Sequence, residues 1–223
     1  MIIGKGLIAS QFSEFNDDNV IIFASGVSNS SETDLNQFIR EEKLVKDTLA
    51  NSQGKLFIYF STCSIYDSSK YNSPYVLHKL HMEDLIKNSG IEFLIFRVSN
   101  AVGNGGNPNL LLNYLHRSIS NNDKISIHQF ATRNLIDVKD VKNITLKYIN
   151  STIRNQIVNI AYKENFTIFE IVNEFINIFN SSSVIDVQKL GEHYSIDISQ
   201  LNYEFEITDK KDYLINMINH YYE

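Results

Sequence analysis

Short apolar runs rich in Val, Ile and Phe alternate along this chain with longer stretches whose apolar residues recur every three or four positions. The runs predict buried strands, and the periodic stretches predict amphipathic helices. Nearly continuous apolar strands separated by helices are typical of a parallel α/β sheet that is covered on both faces. The first half predicts strands at 1–3, 19–24, 55–60 and 92–98, with helices at 7–15, 35–49 and 75–87.

The second half of the chain repeats this alternation less regularly. It predicts helices near 110–118, from about 138, at 168–179 and at 213–222, with strands at 124–128 and 157–161.

Composition narrows the class of protein. A chain of 223 residues can form one α/β domain with a modest cap. The net charge of -6 argues against a nucleic-acid groove, which needs clustered Lys and Arg. The single cysteine, Cys63, excludes an internal disulfide and fits a reducing cytoplasm. No apolar run is long enough to span a membrane, and the first residues do not resemble a signal peptide. We also expect no metal site.

The first predicted strand leads directly into a glycine-rich turn, Gly4-Lys5-Gly6-Leu7-Ile8-Ala9. In this G-x-G-x-x-A pattern the first glycine allows a tight turn and the second lets the backbone approach a pyrophosphate. The small Ala9 lets the helix pack on the strand, and the helix N-terminus favours phosphate binding. Glycines at the end of a strand also form simple turns. The pattern alone therefore favours a dinucleotide site but leaves a simple turn as the alternative.

One expected part of a dinucleotide site is missing. An acidic or basic residue about 20 positions after the glycines usually reads the ribose 2′ position. Here the chain passes from the first helix directly to the strand predicted at 19–24. Either this half of the site is shortened, or Lys5 and the loop after that strand replace the contact. The choice between NAD and NADP therefore stays open.

Tyr75 and Lys79 lie four positions apart at the start of a predicted helix, which places them on one helix face. A lysine ammonium near a phenol favours the phenolate, so the phenol can act as a general acid or base. Thr62 and Ser64 follow the strand predicted at 55–60, where hydroxyls face the ligand crevice of such sheets.

Six segments occur in an order that resembles the extended short-chain dehydrogenase/reductase family of sugar-nucleotide epimerases, dehydratases and ketoreductases. They are GKGLIA, VIIFASG, STCSIY, YVLHK, FRVSNAVG and TRNLIDVKDV. The resemblance spans about residues 1–175 and implies a Rossmann-like doubly wound parallel sheet, shortened after the first helix. It further implies a dinucleotide-binding core of 1–104 and 134–163, with a small substrate-binding cap of 105–133 and 164–223.

The same resemblance implies roles for individual residues. Thr62, Tyr75 and Lys79 are expected to be catalytic, with Lys79 also binding the nicotinamide ribose of NAD or NADP. Arg133 is expected to bind the diphosphate of a nucleotide-sugar substrate, and Asn100 to contact the substrate. The expected cofactor contacts are Gly4, Lys5, Gly6, Leu7, Ile8, Ala9, Phe23, Ala24, Ser25, Tyr75 and Lys79, and further substrate contacts are Thr62, Cys63 and Ser64.

Structural roles remain alternatives for several of these residues. Thr62 could cap the end of a strand, Asn100 could shape a turn, and Cys63 could be a buried thiol. Arg133 could pair with Asp137 or Asp140. His78 and His81, within the same predicted helix as Tyr75, are interpreted as packing or surface residues.

The type of reaction follows from two differences from the family. Its dehydratases carry Asp-Glu directly after the catalytic Thr, whereas this chain has Cys63-Ser64, so dehydration is not expected. The loop between Thr62 and Tyr75 is short, which favours a reductase that releases its nicotinamide after each turnover. We therefore expect an NAD(P)H-dependent ketoreductase acting on a nucleotide-linked deoxy sugar, in synthesis of surface polysaccharide precursors.

Two other functions stay open: an NAD-dependent nucleotide-sugar epimerase and a non-catalytic dinucleotide sensor. The resemblance also implies a homodimer formed through the helices at 34–50 and 75–88, and the single cysteine favours a cytoplasmic location.

Overall fold

A computed structural model describes residues 1–108 and 110–223 and contains eleven strands and seven helices in that part of the chain. The helices are α1 (Leu7–Ser10), α2 (Leu35–Ala50), α3 (Pro74–Lys87), α4 (Leu111–Ser120), α5 (Val138–Ile149), α6 (Ile168–Phe179) and α7 (Lys210–Tyr222). The strands are β1 (Ile2–Ile3), β2 (Val20–Phe23), β3 (Leu56–Thr62), β4 (Phe93–Val98), β5 (Asn100–Val102), β6 (Ile125–His128), β7 (Thr132–Arg133), β8 (Leu135–Asp137), β9 (Gln156–Ile160), β10 (Phe166–Thr167) and β11 (Ile185–Gln188).

The central sheet contains five parallel strands in the order β1-β2-β3-β4-β9. Strand β3 is buried along its whole length, as expected for a strand covered on both faces. On one face of the sheet Val45 of α2 and Met82 of α3 share a core. On the other face Phe12, which follows α1, packs in a core with Ile144 of α5. The prediction of a Rossmann-like parallel α/β sheet is confirmed.

The sheet is shortened at β1, which forms one edge. In a complete doubly wound sheet the first helix leads to a strand on the far side of β1, and the strand order then reverses. Here α1 leads to β2, and the order advances in one direction from β1 to β9. The predicted shortening after the first helix therefore removes the strands that would lie beyond β1.

The first helix is shorter than predicted. It ends at Ser10 instead of near Phe15, because the following amides bond three residues back, Phe12 to Ala9 and Phe15 to Phe12. These tight turns bury Phe12 in the core and return the chain to β2 within a few residues.

A second apolar core lies in the later part of the chain. Residues of α4, α6 and α7 meet there, with Leu115, Phe175 and Met217 fully buried. Val102 and Tyr162, which lie in the predicted dinucleotide-binding core, belong to this second cluster. The exact division into core and cap therefore stays a prediction, and residue 109 of the predicted cap lies outside the described residues.

Five short strands were not predicted: β5, β7, β8, β10 and β11. Each has two to four residues, which is too short for an alternating pattern to identify.

In the described part of the chain, no helix has the length and apolar character needed to cross a membrane.

Candidate active site

A cleft of about 1040 Å³ opens at the carboxyl ends of the central strands. The loops that follow β1, β2, β3 and β4 all contribute to its lining, which is where ligands bind in open α/β sheets. The predicted residues that line it are Lys5, Gly6, Leu7, Ile8, Ala24, Ser25, Thr62, Cys63, Ser64, Tyr75, Lys79, Asn100 and Arg133.

The glycine turn is packed tightly against the next strand end. Gly4 has a φ of +131°, and a Cβ there would lie 2.3 Å from the carbonyl oxygen of Ala24. Only glycine satisfies both conditions. Gly6 is different, because a Cβ there would meet nothing within 4 Å. Its backbone therefore borders open space in the cleft, as the pyrophosphate interpretation requires, while Ala9 is buried behind the turn.

The helix dipole contributes less at this turn than expected, because α1 has only four residues. Charge for a phosphate at this end of the cleft would come from Lys5 and from Arg40, whose guanidinium donates a hydrogen bond of 3.2 Å to the Ser25 carbonyl.

Phe23 is a correction among the predicted cofactor contacts. Its side chain is buried beneath the loop, with its ring centroid 5.8 Å from that of Phe57 and 6.0 Å from that of Tyr59. Because β2 ends at this residue, the loop that faces the cleft begins only at Ala24.

The hydroxyls after β3 lie close together. Thr62 Oγ1 accepts a hydrogen bond from the Ser64 amide and donates one to Ser64 Oγ, each at 3.0 Å. Thr62 therefore caps the short 3₁₀ turn that follows β3, and it also lines the cleft.

Cys63 also lines the cleft, although its thiol is hydrogen-bonded to the neighbouring strand. Its thiol is buried and lies 3.0 Å from the Arg97 carbonyl oxygen, to which it donates a hydrogen bond. Burial raises the pKa of this thiol well above its ordinary value. The thiol therefore joins the end of β3 to β4, as the structural alternative expects, and a contact of Cys63 with the substrate stays a prediction.

Tyr75 and Lys79 lie on α3 and face the cleft together. The Ser73 hydroxyl accepts a hydrogen bond from the Val76 amide and Pro74 occupies the first turn, so the local sequence fixes where the helix begins. Lys79 Nζ lies 6.0 Å from the centroid of the Tyr75 ring. The predicted shared helix face is therefore present.

The charged partner of Lys79 was not predicted. Lys79 Nζ donates hydrogen bonds to Glu41 Oε1 at 2.9 Å and to the Tyr59 hydroxyl at 3.1 Å. Lys79 is 2% exposed and Glu41 is fully buried. Burial alone would raise the pKa of Glu41, but the Lys79 ammonium and hydrogen bonds from His78 and Tyr59 hold it well below 4.5. A sequence signal existed, since Glu41 lies between Phe38 and Val45 on the apolar face of α2.

The two histidines of α3 behave as interpreted. His78 is buried, stacks on Phe38 at 4.7 Å between ring centroids and lies 3.1 Å from Glu41. His81 is exposed and lies 3.6 Å from Glu42.

Arg133 and Asn100 both line the cleft, and each side chain donates a hydrogen bond to a backbone carbonyl. Arg133 donates a hydrogen bond to the Thr132 carbonyl at 2.7 Å, and Asn100 donates one to the Asn134 carbonyl at 2.7 Å. The alternative pairing of Arg133 with Asp137 or Asp140 is wrong. Those carboxylates accept hydrogen bonds from tyrosine hydroxyls, at 2.6 Å from Tyr221 to Asp137 and at 2.7 and 2.6 Å from Tyr203 and Tyr213 to Asp140.

Two further residues at this end of the cleft escaped prediction. Lys70 donates a hydrogen bond of 2.8 Å to Ser30, and burial together with nearby Arg133 lowers its pKa. Tyr194 lies in a segment without regular secondary structure and also lines the cleft. Sequence pattern gives no sign of either contact, because the partners are far apart in the chain.

The charges around the cleft all have one sign. Five cationic residues line it, and no Asp or Glu does so among the residues that the structure describes. This is notable in a chain whose net charge is -6. A concave surface with this lining concentrates anionic ligands. The five are Lys5, Arg40, Lys70, Lys79 and Arg133.

A family model described as the NAD dependent epimerase/dehydratase family matches residues 4–161, which is most of the chain. The chain belongs to this epimerase/dehydratase family. Members of the family use NAD or NADP, so the predicted family and the predicted cofactor class are confirmed. No curated protein matches this chain in sequence.

Solved structures share the fold of this epimerase/dehydratase family member at low identity. UDP-glucuronic acid 4-epimerase from Bacillus cereus, in complex with UDP-glucuronic acid and NAD, aligns with a TM-score of 0.75 and 18% identity, covering 97% of this chain and 77% of that one. RMD from Pseudomonas aeruginosa, complexed with NADPH, aligns with a TM-score of 0.67 and 17% identity, covering 89% and 81%. UDP-glucose 4-epimerase from Thermus thermophilus, in complex with NAD, aligns with a TM-score of 0.74 and 13% identity, covering 96% and 80%.

Proposed function

We propose that this enzyme is an NAD(P)H-dependent ketoreductase acting on a nucleotide-linked sugar. The observation that supports it best is the gathering of Thr62, Tyr75 and Lys79 in one cleft whose charged lining residues are all cationic. A dinucleotide and a nucleotide diphosphate are both anionic, so one cleft of this kind suits both ligands.

The shortened sheet favours reduction over epimerisation. Because β1 is an edge strand, no strand of the described residues lies beyond it to enclose the adenosine end of a dinucleotide. A reductase must release its oxidised cofactor after each turnover, whereas an epimerase regenerates the same cofactor within the site. An open cofactor end fits the first requirement better.

The residues of the cleft fit a nicotinamide cofactor. The open backbone at Gly6 leaves room for a pyrophosphate, and Lys79, which lines the same cleft, is proposed to hold the nicotinamide ribose. When bound, the reduced nicotinamide supplies the hydride that adds to the carbonyl carbon of the substrate. The Tyr75 phenol gives its proton to the carbonyl oxygen, and the product is the alcohol. The Thr62 hydroxyl turns its proton from Ser64 Oγ to that oxygen and orients it by a hydrogen bond, and Tyr75 regains a proton from water.

An assay with purified protein tests this function. A 4-keto-6-deoxy nucleotide sugar is mixed with NADPH or with NADH, and the absorbance of the reduced nicotinamide is followed. We expect it to fall with at least one cofactor and to stay constant without the sugar. Constant absorbance with both cofactors would contradict the reductase.

The second candidate is an NAD-dependent nucleotide-sugar epimerase, favoured by the 4-epimerases among the structures that share this fold. Conversion between UDP-glucose and UDP-galactose, without net oxidation of added cofactor, would favour the epimerase over the reductase.

The substrate diphosphate is proposed to bind at the end of the cleft that holds Arg133 and Lys70. Arg133→Ala is expected to weaken UDP binding by about tenfold, which corresponds to roughly 1.4 kcal/mol. Because the interaction is ionic, the difference from wild type should shrink as salt is added. Calorimetric titration of UDP at low and high salt measures both effects. The exposed Arg117→Ala is the control, and an unchanged affinity for Arg133→Ala would place the diphosphate elsewhere.

A homodimer through α2 and α3 is proposed as the assembly. Leu35, Ile39 and Leu77 are 69%, 63% and 52% exposed on these two helices. Twofold packing of the two helices would bury this apolar surface. Light scattering is expected to give twice the chain mass of 25.7 kDa, and Ile39→Asp with Leu77→Asp to give the monomer. A monomeric wild type at micromolar concentration would rule the assembly out.

The cytoplasmic location and the role in surface polysaccharide precursor synthesis stay predictions.

A further inference from the structure

We propose that Glu41 is a positioning residue that holds Lys79 in place for the cofactor. The inference rests on the proposed function, since it assumes that Lys79 binds the nicotinamide ribose. Glu41 lies on α2 and does not itself line the cleft, so it would act through the lysine.

The Glu41 carboxylate joins three parts of the molecule, namely α3, β3 and the loop that follows β2. Oε1 accepts hydrogen bonds from Lys79 on α3 at 2.9 Å and from Tyr59 on β3 at 2.5 Å. Oε2 accepts one from the Val27 amide in the loop after β2 at 2.6 Å and lies 3.1 Å from His78 Nε2. One buried side chain therefore fixes both the lysine and the loop that borders the cofactor site.

The geometry around Lys79 leaves it one direction in which to bind a ligand. An ammonium has three N–H groups. Two of them are directed at Glu41 and Tyr59, which leaves one for the cleft that Lys79 lines. Without the carboxylate, the four-carbon stem of the lysine could adopt other rotamers, and the third N–H would no longer be held toward the cleft.

Gly26 shows how little space this arrangement leaves. A Cβ at Gly26 would lie 2.4 Å from Lys79 Nζ and 2.7 Å from Glu41 Oε1. The loop backbone therefore lies directly against the ion pair, and the pair sets the position of the loop.

Stability alone does not explain a buried ion pair at this site. Replacing such a pair with apolar residues of similar volume is often neutral or stabilising, because removing two charges from water is costly. The neighbours of Glu41 on the same helix face, Phe38 and Val45, are apolar. A carboxylate among them has its clearest use in holding Lys79, a cation that lines the cleft.

A double-mutant cycle tests the inference. The affinities of wild type, Glu41→Gln, Lys79→Met and the double variant for NADPH and NADH are measured by calorimetric titration. If Glu41 acts through Lys79, Glu41→Gln should weaken binding about tenfold in the wild-type background and less than about twofold in the Lys79→Met background. An equal loss in both backgrounds would overturn the inference.

Glu83→Gln is a matched control. Glu83 is nearly as buried, and it accepts hydrogen bonds from Ser61 at 2.5 Å and from Arg97 at 2.9 and 2.6 Å, without a contact to Lys79. It should lower the unfolding temperature as Glu41→Gln does, yet leave cofactor affinity within about twofold. A tenfold loss of affinity in this control would show that removing any buried carboxylate charge weakens cofactor binding. That result would also overturn the inference.

Tyr59→Phe decides the question if Glu41→Gln does not fold. It keeps both charges and removes only the hydroxyl that bridges Lys79 and Glu41. We expect an affinity loss of about threefold, which disappears in the Lys79→Met background; an unchanged affinity would overturn the inference. If wild type binds neither dinucleotide, the proposed function fails and this inference with it. Binding by wild type with no dependence on Lys79 contradicts the inference alone.

Discussion

Replacing Tyr75 with Phe is expected to lower turnover by about 10³-fold, because the phenol is the proposed proton donor to the substrate carbonyl. Tyr75 is buried at the start of α3. Because a phenyl ring fills the same space as the phenol ring, the packing around it and the fold should not change. Affinity for the nicotinamide cofactor should stay close to that of wild type. Single-turnover oxidation of NADPH with the keto sugar measures the first quantity, and calorimetric titration measures the second.

Tyr71→Phe is the matched control, because Tyr71 precedes Tyr75 by four positions and is exposed. It should keep the activity of wild type. A Tyr75→Phe variant that turns over normally would exclude the proton-donor role. If wild type also has no turnover and cofactor binding is indifferent to Tyr75, the non-catalytic sensor becomes the better interpretation.

Glu41→Gln is expected to lower the free energy of unfolding by roughly 3–5 kcal/mol near neutral pH, since it leaves the buried Lys79 ammonium without a counter-charge. The effect should depend on pH. The pKa of Glu41 is held below its ordinary 4.5 in the folded state, so its stabilising contribution is present above that pH and is lost as the pH falls below it. Urea unfolding of both proteins from neutral to acidic pH measures the difference, which should shrink toward the acid end.

The double variant Glu41→Leu with Lys79→Met separates charge from packing. Removing both members of the pair should cost less than removing either one alone. If the cost of Glu41→Gln were the same at every pH, the ion pair would not be its cause.

The sequence was sufficient where local physics determines the structure. The helix containing Tyr75 and Lys79 was predicted to within one residue, because Ser73 and Pro74 mark where it begins. The buried strands β2, β3 and β4 were identified because apolar residues, most of them β-branched or aromatic, dominate each of them. Most of the site residues that the family resemblance implies line one cleft, and their roles there stay predictions.

The contacts that complete the site could not be predicted, because they join residues distant in sequence. Glu41 and Lys79 lie on different helices, and Lys70 meets Ser30 across two loops. The side chain of Phe23 is buried directly before the loop that faces the cleft, and the Cys63 thiol is buried although the residue lines the cleft. Pattern and spacing locate a residue along the chain, but they do not state which way its side chain points.

The short edge strand β1 has a consequence for solubility. A sheet that ends abruptly exposes backbone N–H and C=O groups that can recruit strands from other molecules. Here β1 has only two residues, and Gly4, with its positive φ, turns the chain away from the sheet at once. The truncated side of the sheet therefore offers too few aligned amide groups to nucleate cross-chain pairing.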